Sequence, residues 1–240
     1  MNAVVRPALF AADFRRLGMR LESMGYPIAH AEASRGTPAL FVDRGAGRAA
    51  ILPAGLAELP GSVLEDTAKA LAGLAPSRKL TLLAWGPAPG PSARQRLREA
   101  GVELALFEPI DTAVLRFQVN RALTPPSAAR RRALRAPIEA PVELRFRLRT
   151  RSARVYSMSA SGAYILEDEP LRAGRKLTLE VPVGRLHPRT RARVVLANPA
   201  ADRAHPDLPP GMAVAFEEID HAYAAVIQRL VEERLAALAV

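Results

Sequence analysis

Two stretches hold the residue types best suited to chemistry: Arg130-Arg131-Arg132-Ala133-Leu134-Arg135 and, about twenty residues later, Ser157-Met158-Ser159-Ala160-Ser161-Gly162. A planar guanidinium fork grips phosphate oxygens and the O6/N7 edge of a guanine in a bidentate way, which a lysine ammonium does not. Short hydroxyls beside a glycine let backbone come close to a ligand at a turn between strands. Taken together, the two stretches suit a small dianionic nucleotide. An arginine run is also a common solvated linker, and the downstream serine-glycine turn is what separates the two readings.

Both stretches sit in a region whose apolar residues recur with period two. Val142, Leu144, Phe146 and Leu148 alternate with Glu143, Arg145, Arg147 and Arg149, the pattern of a half-buried strand with a basic outer face. Arg154 to Met158 and Ala163 to Leu166 flank the serine-glycine turn. Leu177 to Val183, Ala192 to Leu196 and Met212 to Phe216 alternate again, so six short strands predict a closed antiparallel barrel. Asp220 caps a final helix whose stripe runs through Tyr223, Val226, Ile227, Leu230, Val231, Leu235 and Leu238. The stripe covers the barrel, or pairs two copies of the chain, or docks a partner.

The region before Thr124-Pro125-Pro126 reads differently. Two prolines forbid continuing a helix there, which sets domains at 1–123 and 130–240 with a linker at 124–129. Upstream, apolar clusters alternate with helical stripes, the order of an α/β domain with a mostly parallel sheet. Asp13 caps a helix bearing Phe14, Leu17, Leu21 and Met24 and closed by Gly25, while Asp111 caps one bearing Val114, Leu115, Val119 and Leu123. Ser62 with Glu65, and Ser92 with Gln95, have capping-box spacing. Ala39–Val42, Ala49–Leu52, Lys79–Trp85 and Val102–Phe107 are strand candidates.

At this point two resemblances enter. The segment from Arg130 to Val240 resembles a PilZ domain, a bacterial receptor module for cyclic di-GMP with the signature Arg-x-x-x-Arg and then Asp/Asn-x-Ser-x-x-Gly. Arg131 and Arg135 match the first motif, and Ser159 and Gly162 the second, while Ser157 stands where Asp or Asn is expected. The resemblance implies that Arg131 and Arg135 hold the guanines and phosphates, that Arg130 and Arg132 assist electrostatically, that Ser159 donates its hydroxyl and that Gly162 leaves room at the turn. A serine does not reproduce a bidentate base contact, and losing one costs about 1–3 kcal/mol, roughly ten- to a hundredfold in affinity.

Residues 3–123 are similar in element order to the receiver domain of two-component signalling, which implies a flavodoxin-like fold with a parallel sheet. Its chemistry is incomplete. Glu108 stands where the family has a lysine, Ala84-Trp85-Gly86 where it has a Ser/Thr, and only Asp13 lies near its acidic pair. A phosphoryl group on Asp43 would therefore have nothing to neutralise it, so the receiver reads as degenerate.

Composition narrows the function. An apolar share of 49% excludes a disordered chain, and no apolar run approaches the roughly 20 residues of a spanning helix. A cytoplasmic location without membrane insertion is expected. The chain has no cysteine, and its four histidines, His30, His187, His205 and His221, lack ligand spacing, so neither metal nor cofactor is expected. The net charge of +10, larger after residue 124, attracts an anion.

The leading expectation is a non-catalytic effector that binds cyclic di-GMP and passes the signal on through domain or partner contacts. The second is a ligand-free interaction module in motility or pilus regulation. A nucleic-acid binder ranks third, because only Tyr156 and Tyr164 lie near the arginines as stacking platforms. No nucleophile, base and orienting residue cluster in any motif, and no Gly-rich phosphate loop occurs, so an enzyme is not expected.

Overall fold

The computed structural model describes residues 8–44, 47–74, 80–124, 134–146, 149–182 and 188–240. The linker at 125–129, Arg130 to Arg132, Gly45, Lys79, Arg147, Leu148, Val183 and His187 lie outside the described residues. The chain divides into two compact units, Met1–Arg130 with Leu238–Val240, and Arg131–Ala237.

The first unit is a five-stranded sheet with helices on both faces. Its elements run α1 (Ala8–Ser23), β1 (Ile28–Glu32), β2 (Pro38–Arg44), β3 (Gly47–Pro53), α2 (Val63–Gly73), β4 (Leu80–Pro87), α3 (Pro91–Glu99), β5 (Val102–Glu108) and α4 (Thr112–Leu123). Strands β2 to β5 are apolar on both sides, because each face is covered. On one face Phe14, Leu17 and Leu21 of α1 and Leu115 and Val119 of α4 pack on Leu40, Val42, Ile51, Leu83 and Leu106. On the other, Leu64, Ala68 and Leu71 of α2 and Leu97 of α3 pack on Phe41, Ala50, Leu52 and Ala84.

The topology corrects the parallel, flavodoxin-like expectation. The sheet order is β1-β2-β3-β4-β5; β1, β2 and β3 pair antiparallel, and only β3-β4 and β4-β5 are parallel. Arg44 pairs with Gly47 and Asp43 with Arg48, so two residues join β2 to β3. A parallel partner needs a crossover of a dozen or more residues, which α2 and α3 supply later in the chain.

This reversal takes apart the receiver-like constellation. Because β2 runs against β3, Asp43 lies beside the beginning of β3, whereas Trp85, Gly86 and Glu108 lie at the far ends of β4 and β5. At about 3.3 Å per residue, the five-residue rise from Arg48 to Pro53 alone separates the two ends by roughly 17 Å. Asp43 is instead gripped by Arg48, Nε to Oδ1 at 2.6 Å and Nη2 to Oδ2 at 2.8 Å. We expect no acid-labile phosphorylation of the chain by acetyl phosphate and magnesium. A modification that disappears in Asp43→Ala would reverse that conclusion.

Several caps also differ. Asp13 lies inside α1 and pairs with Arg16 at 3.6 Å. The Ser62 hydroxyl turns to Asp66 at 2.9 Å instead of capping backbone. Helix α3 begins at Pro91 after Gly90, which puts Ser92 inside its first turn, because a proline is pre-shaped for that first position. Asp111 sits at the N-cap of α4 without a side-chain cap bond.

The second unit is a closed six-stranded antiparallel barrel, as the period-two pattern predicts. Its strands are β6 (Ala136–Phe146), β7 (Arg149–Ser159), β8 (Gly162–Leu166), β9 (Lys176–Glu180), β10 (Arg189–Asn198) and β11 (Gly211–Glu218), in the order β10-β11-β8-β7-β6-β9. Val142, Leu144, Val155, Met158, Ile165, Leu179, Val194, Met212 and Val214 fill it. Helix α5 (His221–Ala237) covers this core with Tyr223, Ile227 and Val231, while Val226 is exposed. Asp220 caps α5, accepting from the N–H groups of Ala222 at 2.9 Å and Tyr223 at 3.1 Å. Burial pushes the Tyr223 hydroxyl up to about 12, so it stays a donor to Val181 O at 3.1 Å.

Candidate functional site

Strand pairing brings the start of β6, which follows the arginine stretch in the chain, beside the serine stretch at the end of β7. Ala136 points into the core, fully buried, with Arg135 immediately before it and Pro137, also buried, immediately after it at the start of β6. Pro137 pairs with Ser157 of β7, and Ser157 pairs with Tyr164 of β8. The core-facing residues around them are Val155, Met158, Ala163 and Ile165. Arg135, half-buried, precedes the β6 residues that pair with this part of β7. Arg130, Arg131 and Arg132 lie outside the described residues.

An irregularity shapes this face. Between Val155 and Ser157 the register with β8 shifts, leaving Tyr156 as the extra residue of a β-bulge. A bulge re-aims the side chains beside it, and the Tyr156 ring meets Tyr164 edge to face at 5.9 Å between centroids. Both tyrosines are buried, at 3% exposure, so neither is a stacking platform for nucleic acid. Tyr164 donates to Pro209 O at 2.8 Å, and burial raises its pKa.

The two serines differ in what they offer. Ser159 closes the β7–β8 turn: its hydroxyl donates to Gly162 O at 3.2 Å, contacts Ser161 Oγ at 3.2 Å and accepts from Ser161 N–H at 3.4 Å. Its donor proton is thus directed to the turn. Ser157 is buried on the same face.

Gly162 lies close against the backbone of β11. A Cβ there would lie 2.2 Å from Val214 O. That backbone pairs with β8 through Ala215 and Gly162.

Charge on the barrel exterior also reads differently once strands are paired. Arg145 meets Glu143 at 3.0 Å and Glu180 at 3.3 Å, Arg189 meets Glu180 at 3.3 Å, Arg154 meets Glu139 at 3.3 Å and Arg191 meets Glu218 at 3.3 Å. Arg193 and Lys176 share Glu217. Among the described residues, this arginine face is laced with carboxylates.

Asn198 is a site-shaping residue that sequence reasoning missed. Fully buried at the end of β10, it donates Nδ2 to His205 O at 3.0 Å and Pro209 O at 3.2 Å, and its Oδ1 accepts from His205 N–H at 3.0 Å. It thereby ties the 199–210 loop beside Tyr164. An Asn before a proline at a strand end was the available signal, and turn chemistry is the reason it works.

Comparison with known proteins adds the family. The model described as PilZ domain matches residues 129–233. This part of the chain is a PilZ domain. Among curated proteins none matches. Similar solved structures include the Bacillus subtilis inhibitor of motility MotI/DgrA, 17% identical, covering 48% of this chain and 57% of that one at a TM-score of 0.37. The PilZ domain of YcgR from Escherichia coli with c-di-GMP is 19% identical, covering 45% and 93% at 0.32. YcgR of the same organism in complex with c-di-GMP is 24% identical, covering 45% and 48% at 0.34. The chain spans a little over half the length of the motility inhibitor it matches.

Among the described residues, no group of three or more His, Asp or Glu is placed to hold a metal ion, and no helix is long and apolar enough to cross a membrane.

Proposed function

We propose that the PilZ domain is a non-catalytic receptor for cyclic di-GMP, bound on the outer face where β6 begins. The observation that carries this reading is the Pro137–Ser157 pairing, which puts the start of β6, two residues after Arg135, beside the Ser157-x-Ser159 stretch. Membership of the PilZ family supports the same ligand, which YcgR of that family holds in its complexes. Arg131 and Arg135 act as the forks for phosphate and guanine, with Arg130 and Arg132 adding charge. Binding engages the arginine stretch and changes the relation to the other domain or to a partner protein. Calorimetry with cyclic di-GMP, GTP and a short single-stranded oligonucleotide tests it: selective heat with the cyclic dinucleotide is expected, and heat with all three or with none ends the proposal.

A second reading is an interaction module without ligand. The burial of Ser157 at 4% and Ser159 at 1%, with the Ser159 proton turned to Gly162 O, favours it. Ser157→Asn separates the two. If position 157 borders the ligand, the amide restores a base contact and tightens binding about tenfold, mostly through a slower off-rate. A Ser157→Asn chain that folds normally and binds no better removes Ser157 from the site.

A further inference from the structure

The first unit has an open sheet edge that is complementary to itself. Strand β1 pairs with β2 on one side, and among the described residues no strand pairs with the other. The ladder decides which backbone groups that edge presents. Ala33 N–H donates to Thr37 O at 2.8 Å, and the register continues from Glu32 opposite Pro38 to Ile28 opposite Val42. Hydrogen-bonded and non-hydrogen-bonded pairs alternate along an antiparallel ladder, so Ala29 and Ala31 bond to β2. Pro38, which has no N–H, falls in a non-bonded pair, as this assignment requires. The N–H and C=O groups of Ile28, His30 and Glu32 are left facing outward, spaced evenly about His30.

Helix α1 runs beside this edge, and its exposed side repeats the same symmetry. Its Leu17 and Leu21 share a core with Leu40 and Val42 of β2, and a Cβ on its Gly18 would stand 3.2 Å from the His30 ring. The helix therefore lies over β1 and β2 together. Ala12, Arg15, Arg16, Met19, Glu22 and His30 line a shallow groove there. Met19 is 63% exposed, with Arg16 one turn before it and Glu22 one turn after.

A two-fold axis passing the edge at His30 lets both elements meet their own copies. Along the strands His30 faces His30 and Ile28 faces Glu32, and each outward N–H finds an outward C=O of the second chain. Neighbouring strands lie about 4.8 Å apart, which sets two helices straddling β1 and β2 about 10 Å from each other, a packing distance for helices. Antiparallel about Met19, they bring the two exposed methionines together and set Arg16, with Arg15 beside it, against Glu22 of the second copy.

We propose that the chain forms a two-fold dimer by joining β1 to β1 of a second copy, with α1 packed on α1. Such an interface uses the same patch on both subunits, and this edge matches itself in backbone, apolar and charged groups at one centre. The inference rests on the first unit alone and owes nothing to the nucleotide.

The chain has no cysteine, so a single introduced thiol reports on its own position. Facing residues of a bonded antiparallel pair have Cα atoms about 5.5 Å apart, within reach of a disulfide. Full-length His30→Cys is expected to become a covalent dimer under mild oxidation. Glu32→Cys, displaced from its own copy by roughly 13 Å along the strands, should stay a single chain on a non-reducing gel. Sedimentation equilibrium of the parent measures the affinity, which Glu22→Arg should weaken at least tenfold. Adding Arg15→Glu and Arg16→Glu to Glu22→Arg reverses the charges on both sides and should restore it, with circular dichroism confirming that each variant folds. A parent that stays monomeric at every concentration overturns the proposal. So does equal cross-linking at positions 30 and 32, a Glu22→Arg chain that dimerises like the parent, or a folded charge-reversed chain that does not recover.

Discussion

Alanine at Arg135 is expected to remove most cyclic di-GMP binding while leaving the barrel folded. The side chain lies outside the barrel core, and the neighbour that anchors this stretch is Ala136, fully buried in that core. A charge-assisted hydrogen bond contributes about 1.5–3 kcal/mol, and each 1.4 kcal/mol is tenfold, so losing one fork weakens binding roughly ten- to a hundredfold. Where the fork serves both phosphate and guanine, the loss lies at or beyond the upper figure. Melting should shift little, because surface changes outside a core usually cost within about 0.5 kcal/mol. Arg131→Ala should match it if Arg131 is the motif's first arginine. Arg135→Lys then separates charge from geometry, since lysine keeps the charge and loses the planar fork. Titrations at fixed salt read all three. Parent-like affinity in both alanine variants would remove the arginine stretch from the site, and parent-like affinity in the lysine variant would reduce its role to electrostatics.

The barrel was legible because its strands carry one apolar face each. Val142, Leu144 and Phe146, or Ala192 and Val194, alternate with charged residues, and a period of two has one structural solution. The first unit hid its topology for the opposite reason. Strands β2 and β3 are apolar on both faces, so their existence was readable and their direction was not. The six residues between Val42 and Ala49 were the overlooked clue, since that length suits a hairpin and no crossover helix. Strand β1 escaped because Ile28–Glu32 is an edge strand without a buried residue and shows no alternation. Nor could sequence foresee the carboxylate lacing of the basic face. Glu217 meets Arg193 only through the β10–β11 pairing, a relation between residues distant in sequence. In the candidate site, the arginine and serine motifs were readable as residue types, but the destination of the Ser159 proton depended on a turn geometry that the motif alone does not contain.

Gly162→Ala should destabilise the barrel more than any other single substitution in the serine-glycine turn. The added Cβ would stand 2.2 Å from Val214 O and 3.3 Å from Ala215 Cα, and both contacts are to backbone of β11, which cannot rotate away as a side chain can. Either β8 and β11 separate where Gly162 pairs with Ala215, or the turn shifts and breaks the Ser159 bond to Gly162 O. Overpacking of this kind costs about 3 kcal/mol, the upper end of its usual range. For a unit of this size each kcal/mol lowers the melting temperature by about 4–8 °C, so a drop of roughly 12–24 °C is expected. Gly174→Ala is the matching control: its φ of +85° strains an alanine, yet nothing lies within 4 Å of the added atom, so it should cost only about 1–2 kcal/mol. Thermal melts of the three chains decide the role of the motif glycine. If it serves the fold, ligand binding below the melting point of Gly162→Ala persists in proportion to the folded fraction. A variant that melts within a degree or two of the parent yet no longer binds cyclic di-GMP would assign Gly162 to the ligand, in keeping with the expectation of open space at the turn.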